Sequence, residues 1–210
     1  MRDFFMAKPS DTYKTIQNSS QGLYKDKGSK FLAFAYPVFS EEEIKEHLSF
    51  IKKEYFDARH HCYAYAIGLN REHYRTFDDG EPSGTAGKPI FGQIQSFELT
   101  NILIVVVRYF GGILLGTSGL ITAYKAATEN ALQNAELIEK TLNSIFSVSF
   151  EYNVMNDLMK ILKDQNIEQF NQSFGLSCSL QISVRNSKVA QILDKLSKIE
   201  TVKSQFLLMK

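Results

Sequence analysis

Eight of the twelve glycines in this 210-residue chain fall between Gly80 and Gly119, with Pro82 and Pro89, half of the four prolines. Backbone so rich in glycine and proline must turn sharply or approach something closely. Regular elements are therefore expected on either side of this zone. Upstream, Lys30 to Val38 reads as a strand. Ser40 followed by Glu41, Glu42 and Glu43 marks a helix start, with a side-chain cap, an acid at the capping-box position and negative charge at the positive end of the dipole. Ile44, Leu48, Ile51 and Tyr55 then repeat at helical spacing. His60 to Leu69 and Asn101 to Tyr109 read as strands. Thr117 to Leu137 reads as a long helix with Leu120, Tyr124, Ala127 and Ala131 on one stripe.

From Leu142 onward the chain has one glycine, Gly175, and no proline. Phe146, Val148, Phe150 and Tyr152 alternate with polar residues, as in a half-buried strand. Asn153 is placed to cap a helix bearing Val154, Leu158, Ile161 and Leu162. Ile167 to Phe174 is a weaker strand, and Leu176 to Arg185 is the cleanest period-two run in the chain. Ser187 is placed to cap a helix with Val189, Ile192, Leu193, Leu196 and Ile199, and Val202 to Met209 closes as a strand. The expected class is α+β in two domains, 1–142 and 143–210. The second domain has the βαββαβ order of a ferredoxin-like plait.

Hydrophobic residues make up 44% and aromatics 12%, which excludes intrinsic disorder. Twenty-four basic against 23 acidic side chains give a net charge of +1, so a nucleic-acid partner would have to be held by a local patch. Cys62 and Cys178 form no metal or disulfide pattern, which suits a reducing compartment. The start, MRDFFMAKPSD, shows no signal peptide. The longest aliphatic run, Ile102 to Val107, is far short of a membrane span. The expectation is a cytoplasmic protein with no membrane partner, no resident metal and no cofactor.

Two segments are candidates for chemistry. In Arg75 to Pro89, Asp78, Asp79 and Glu81, three glycines, and the hydroxyls of Ser83 and Thr85 crowd between Arg75 and Lys88. Such a loop can bring backbone N–H groups and Lys88 against an anion, or can be a solvated surface turn. It is not a Walker A loop, because Gly87-Lys88 is followed by Pro89. In Arg108 to Leu120 an aliphatic strand runs through Gly111 and Gly112 into a helix whose first turn carries Thr117 and Ser118, a geometry that can hold an anion or merely pack tightly. Arg108, ending six aliphatics, needs a partner: a salt bridge to Asp79 or Glu81, or a phosphate.

His60-His61-Cys62 invites a Cys/His reading, since strand alternation puts His60 and Cys62 on one face. The pattern Cys62, Ala64, Ala66 favours a packed structural cysteine instead. The three acids could hold a hard cation only without the spacing of an EF-hand. Ser177, Ser179, Gln181, Ser183 and Arg185 lie on a polar sheet face with no aromatic platform, which argues against base stacking there.

The strings Asp78 to Pro89 and Arg108 to Leu120, with Ala58-Arg-His-His-Cys-Tyr-Ala-Tyr65 upstream, resemble the Impact family, and within it the bacterial YigZ-type members. The resemblance covers nearly the whole chain. It implies a first domain like the second domain of a small-subunit ribosomal protein and domain IV of elongation factor G, including a left-handed βαβ crossover. It implies a second domain similar to domain V of that factor. Eukaryotic members of the family regulate translation by competing for the activator of a starvation-responsive kinase, using an additional N-terminal module. About twenty residues precede the first glycine here, so that module is expected to be missing. The resemblance carries over no catalytic residues.

The reading that results is a non-enzymatic protein that binds RNA, the ribosome or translation factors, without DNA sequence specificity. Its expected anion-binding surface is Lys30, Arg75, Asp79, Glu81, Thr85, Lys88, Arg108, Gly112, Thr117 and Ser118, formed where the two glycine-rich segments converge. The alternative is an enzyme or sensor for a small phosphorylated ligand at the Thr117 helix start, with Arg108 on phosphate and the acids on Mg²⁺. A third reading is a regulator that binds protein alone.

Overall fold

The computed structural model describes residues 11–175 and 177–209. The chain separates into two compact units. One runs from Tyr13 to Lys140; the other starts at Thr141 and takes in Asp11 and Thr12.

The first unit is built on an antiparallel five-stranded sheet. Its strands are β2 (Ser20–Asp26), β3 (Ser29–Pro37), β4 (His60–Ile67), β5 (His73–Phe77) and β6 (Ile102–Tyr109), arranged in the order β2-β3-β6-β4-β5. Helix α1 (Glu41–Glu54) covers one face, and α2 (Gly87–Ser96) and α3 (Gly116–Gln133) cover the other. β1 (Thr12–Ile16) and β7 (Leu137–Thr141) form a separate two-stranded ribbon. The central strand, β6, is buried on both faces from Ile102 to Val107, which is why its sequence is unbroken aliphatic rather than alternating.

Helix α1 starts as its sequence requires, with Ser40 accepting from the Glu43 N–H at 3.2 Å. Glu43 reaches one residue further back than in a capping box and accepts from the Phe39 N–H. The long helix expected over 117–137 stops at Gln133, and Leu137–Thr141 joins the ribbon with β1 instead. α3 also closes the edge of the sheet. Asn130 accepts from the Leu23 N–H at 3.0 Å, and the Asn134 side chain donates to the Gln21 carbonyl at 2.9 Å. Gly22 permits this contact, because a Cβ there would overlap the backbone of Ala131.

The second unit has the order β8 (Asn143–Phe150), α4 (Met155–Asp164), β9 (Glu168–Ser173), β10 (Cys178–Arg185), α5 (Val189–Ser197) and β11 (Lys203–Met209). Its antiparallel sheet runs β11-β8-β10-β9. Leu158, Leu162, Ile192 and Leu196 of the helices pack on Phe146, Val148, Leu180 and Ile182, and the serines between them face the other way. Leu176, expected at the start of the β10 run, lies outside the described residues.

Neither expected cap in this unit forms. A turn of 3₁₀-helix, Tyr152–Val154, precedes α4, and another, Asn186–Lys188, precedes α5, and neither helix has a side-chain cap. Ser187 is taken by Asp11 instead. The Asp11 carboxylate accepts from Arg185 at 2.8 and 2.9 Å and from the Ser187 N–H at 2.9 Å, while its carbonyl accepts from the Leu142 N–H.

Candidate functional site

The region read as one long loop, 75–89, is three things. Arg75 lies on β5, residues 78–86 form the loop proper, and Lys88 and Pro89 sit in the first turn of α2, where proline needs no N–H donor. Asp78 organises the loop. One carboxylate oxygen accepts from the N–H groups of Ala86 and Gly87 at 3.1 and 2.8 Å, and the other accepts from the Gly84 N–H at 2.9 Å. It therefore does for α2 what an N-cap does, from eight residues upstream of Ala86.

Asp79 and Glu81 turn to other partners. Asp79 accepts from the His61 N–H at 2.7 Å, and its carbonyl accepts from His60 Nδ1 at 2.8 Å. Glu81 is buried. Its Oε1 accepts from Arg108 Nη1 at 2.6 Å and from the Tyr124 hydroxyl at 2.8 Å. Arg108 is buried with it; its Nε has no hydrogen-bond partner, and its guanidinium lies 5.4 Å from the Phe31 ring centre and 5.7 Å from that of Phe110. Of the two partners open to Arg108, the structure selects the acid, Glu81. The two glycine-rich segments do meet, through this ion pair.

Cys62 completes the buried chain, with Sγ 2.9 Å from the Asp78 carbonyl and 3.2 Å from the Tyr124 hydroxyl. Burial pushes its thiol pKa far up, and the Tyr124 phenol is raised for the same reason first. Cys62 is thus held as a neutral thiol, whereas a nucleophile needs the thiolate. The three acids of the loop have separate partners. Among the described residues, no group of three or more His, Cys, Asp or Glu side chains is placed to hold a metal ion.

The ten surface residues expected from sequence divide accordingly. Glu81, Arg108 and Thr85 are buried, and Thr85 spends its hydroxyl proton on the Pro82 carbonyl at 2.7 Å. Asp79 is tied to the backbone of β4. Lys30, Arg75, Lys88, Gly112, Thr117 and Ser118 are exposed. Among the described residues, no carboxylate lies within salt-bridge distance of Lys30, Arg75 or Lys88. The loop's acids are hydrogen-bonded within the protein, Glu81 to the buried Arg108 and the two aspartates to backbone N–H groups, while Arg75 and Lys88 face solvent.

Lys30 also borders a groove that sequence reasoning did not find. About 490 Å³ in volume, it is lined by Leu23, Lys25, Gly28, Lys30, Leu32, Tyr109 and Phe110. The signal was present as Lys27-Gly28, a two-residue hairpin turn with φ of 44° and 79°, which sets Lys25 opposite Lys30 and Leu23 opposite Leu32. Gly111 seats the next turn directly on this hairpin, since a Cβ there would overlap the Gly28 backbone, and its N–H donates to Ser29 Oγ at 3.1 Å.

Residues 27–132 match the Impact N-terminal domain. The chain is 33% identical over 173 residues to IMPACT family member YigZ of Escherichia coli, covering 81% of this chain and 85% of that protein. It is 35% identical over 153 residues to IMPACT family member YvyE of Bacillus subtilis, covering 73% and 70%. A crystal structure of a hypothetical protein is similar at a TM-score of 0.69 and 28% identity, covering 94% of this chain and 98% of that one. By domain match and by identity over most of its length, this chain belongs to the IMPACT family.

Proposed function

We propose that the protein is a non-enzymatic binding protein of the translation machinery, contacting RNA, the ribosome or a translation factor through the exposed cations of its first unit. The observation that carries this reading is the charge arrangement. Asp78, Asp79 and Glu81 are spent on backbone N–H groups, Arg108 and Tyr124, while Lys30, Arg75 and Lys88 are exposed. With Glu81 paired to Arg108 and the two aspartates bound to backbone N–H groups, these exposed cations are the groups available to a phosphate-rich partner despite a net charge of only +1. The resemblance to the Impact family, which implies a role in translation, supports the same reading. A ferredoxin-like assignment of the second unit belongs to this proposal and is supported by its βαββαβ order and β11-β8-β10-β9 sheet.

The phosphorylated-ligand alternative loses its main support, because Arg108 is occupied by Glu81. Co-sedimentation of the purified protein with ribosomal subunits tests the proposal. Binding is expected at low salt and should weaken steeply as salt rises, through lost counterion release. Absence of co-sedimentation at low salt, together with no retention of RNA or of translation factors by the immobilised protein, overturns it.

A further inference from the structure

We propose that the groove between the β2–β3 hairpin and the turn after β6 binds an acidic, aliphatic-rich segment of a partner protein. This rests on reading the chain as a binding protein and names the chemistry of one partner.

The groove has two rows. Leu23 and Leu32 are directly paired across β2 and β3 and form an apolar row; Leu23 is 45% exposed. Lys25, Lys30 and Tyr109 are likewise paired across β2, β3 and β6 and form a basic row. Phe110 lines the groove, and the turn beyond it presents Ile113 and Leu114, the latter 82% exposed. An exposed apolar row beside a basic one is the composition of a protein-binding surface. Among the described residues, neither Lys25 nor Lys30 has a carboxylate at salt-bridge distance. An occupant therefore has to bring aliphatic groups for the leucines and carboxylates for the lysines.

The groove is pre-formed. The Gly28–Gly111 contact fixes the hairpin against the turn, the Tyr109 hydroxyl donates to Asp57 at 2.7 Å, and the Arg108 guanidinium lies against the Phe110 ring. Its volume of about 490 Å³ is that of a site for a few side chains. Single-stranded nucleic acid needs aromatic platforms for its bases. Here the exposed apolar groups are mainly aliphatic, Leu23, Ile113 and Leu114 beside the single exposed ring of Phe110. Charge and shape together select an acidic protein segment.

Selection of the intact protein against a phage-displayed library of random linear peptides tests this. The wild type should enrich peptides that combine Asp or Glu with Leu, Ile, Val or Met. Titration of the most enriched peptide should move the backbone amide signals of Lys25, Lys30 and Phe110. The doubly reversed variant Lys25→Glu/Lys30→Glu should bind that peptide roughly tenfold or more weakly. Phe110→Ala, which removes a groove wall and leaves the charges in place, should weaken it as well. No enrichment, enrichment of basic peptides, or an unchanged affinity in both folded variants overturns the proposal. So does tighter binding of oligouridylate or of phosphatidylserine vesicles at the same amides. Any of these failures leaves ribosome co-sedimentation intact if only the partner chemistry is wrong.

Discussion

Arg108 Nη1 lies 2.6 Å from Glu81 Oε1, and both side chains are buried. This pair joins the end of the central strand to the acidic loop, and the Tyr124 hydroxyl on the same Glu81 oxygen ties both to α3. Breaking a buried pair from one side leaves an uncompensated charge. Glu81→Leu or Arg108→Met should therefore each destabilise the first unit by about 3–5 kcal/mol in urea unfolding. The double variant should cost clearly less than the sum, since no charge is then stranded. Single-variant losses below about 1 kcal/mol would mean that the pair is not holding the loop.

Cys62 should behave as packing. Its side chain is fully buried, and burial raises its pKa. Cys62→Ala is expected to cost about 1–2 kcal/mol. Iodoacetamide at neutral pH should modify Cys62 only as fast as the protein unfolds. Rapid labelling of the native protein at this position would contradict the buried-thiol account.

Asp78 is the acceptor for three loop and helix N–H groups. Asp78→Ala should lower stability by about 2 kcal/mol, near the upper end for loss of a helix cap. It should also speed amide hydrogen exchange at Ala86 and Gly87 more than elsewhere in the first unit. Unchanged exchange at those two amides would deny Asp78 its capping role.

The second unit should carry an acid-sensitive clasp. Hydrogen bonds from Arg185 first, and then from Ser187, hold the Asp11 carboxyl well below its usual range. A depressed carboxylate pKa contributes stability that is full above the unfolded value of about 3.9 and is lost as pH falls toward the folded one. Because the Arg185 side chain is 46% exposed, the expected contribution at neutral pH is about 1–2 kcal/mol. Melting temperatures of the wild type and Asp11→Asn should differ at pH 7 and draw together progressively as the pH falls from about 4 to about 2. Parallel curves down to that acidity would rule the clasp out.

Much of this architecture could be read from pattern alone, because the elements with strong periodicity are those buried on one face. β10 alternates from Cys178 to Arg185 with every second residue buried, and Ser40 caps α1. What escaped is set by contacts distant in sequence. α2 hides behind glycines and Pro89, and its cap, Asp78, lies outside the usual window. The early stop of α3 reflects pairing of Leu137–Thr141 with β1, more than 120 positions away. Ser187 does not cap α5 because it lies within the preceding 3₁₀ turn, where its N–H and its hydroxyl both serve Asp11, 176 residues earlier. At the candidate site, the motif residues were visible but their orientations were not. A short-range reading cannot tell that Glu81, Arg108 and Thr85 point inward while Lys30 and Lys88 point out.

The central claim is that particular exposed cations of the first unit, and not charge in general, contact the translation machinery. Co-sedimentation with ribosomal subunits, repeated with Lys30→Glu, Lys88→Glu and Lys198→Glu, tests it most directly. Lys198 is an exposed control in the second unit, paired with Asp194 at 2.7 Å. Lys30→Glu and Lys88→Glu should each weaken binding by about 1–3 kcal/mol, the range for charge-assisted contacts, and Lys198→Glu should leave it unchanged. Equal losses at all three positions, or full binding by the folded Lys30 and Lys88 variants, would contradict the account.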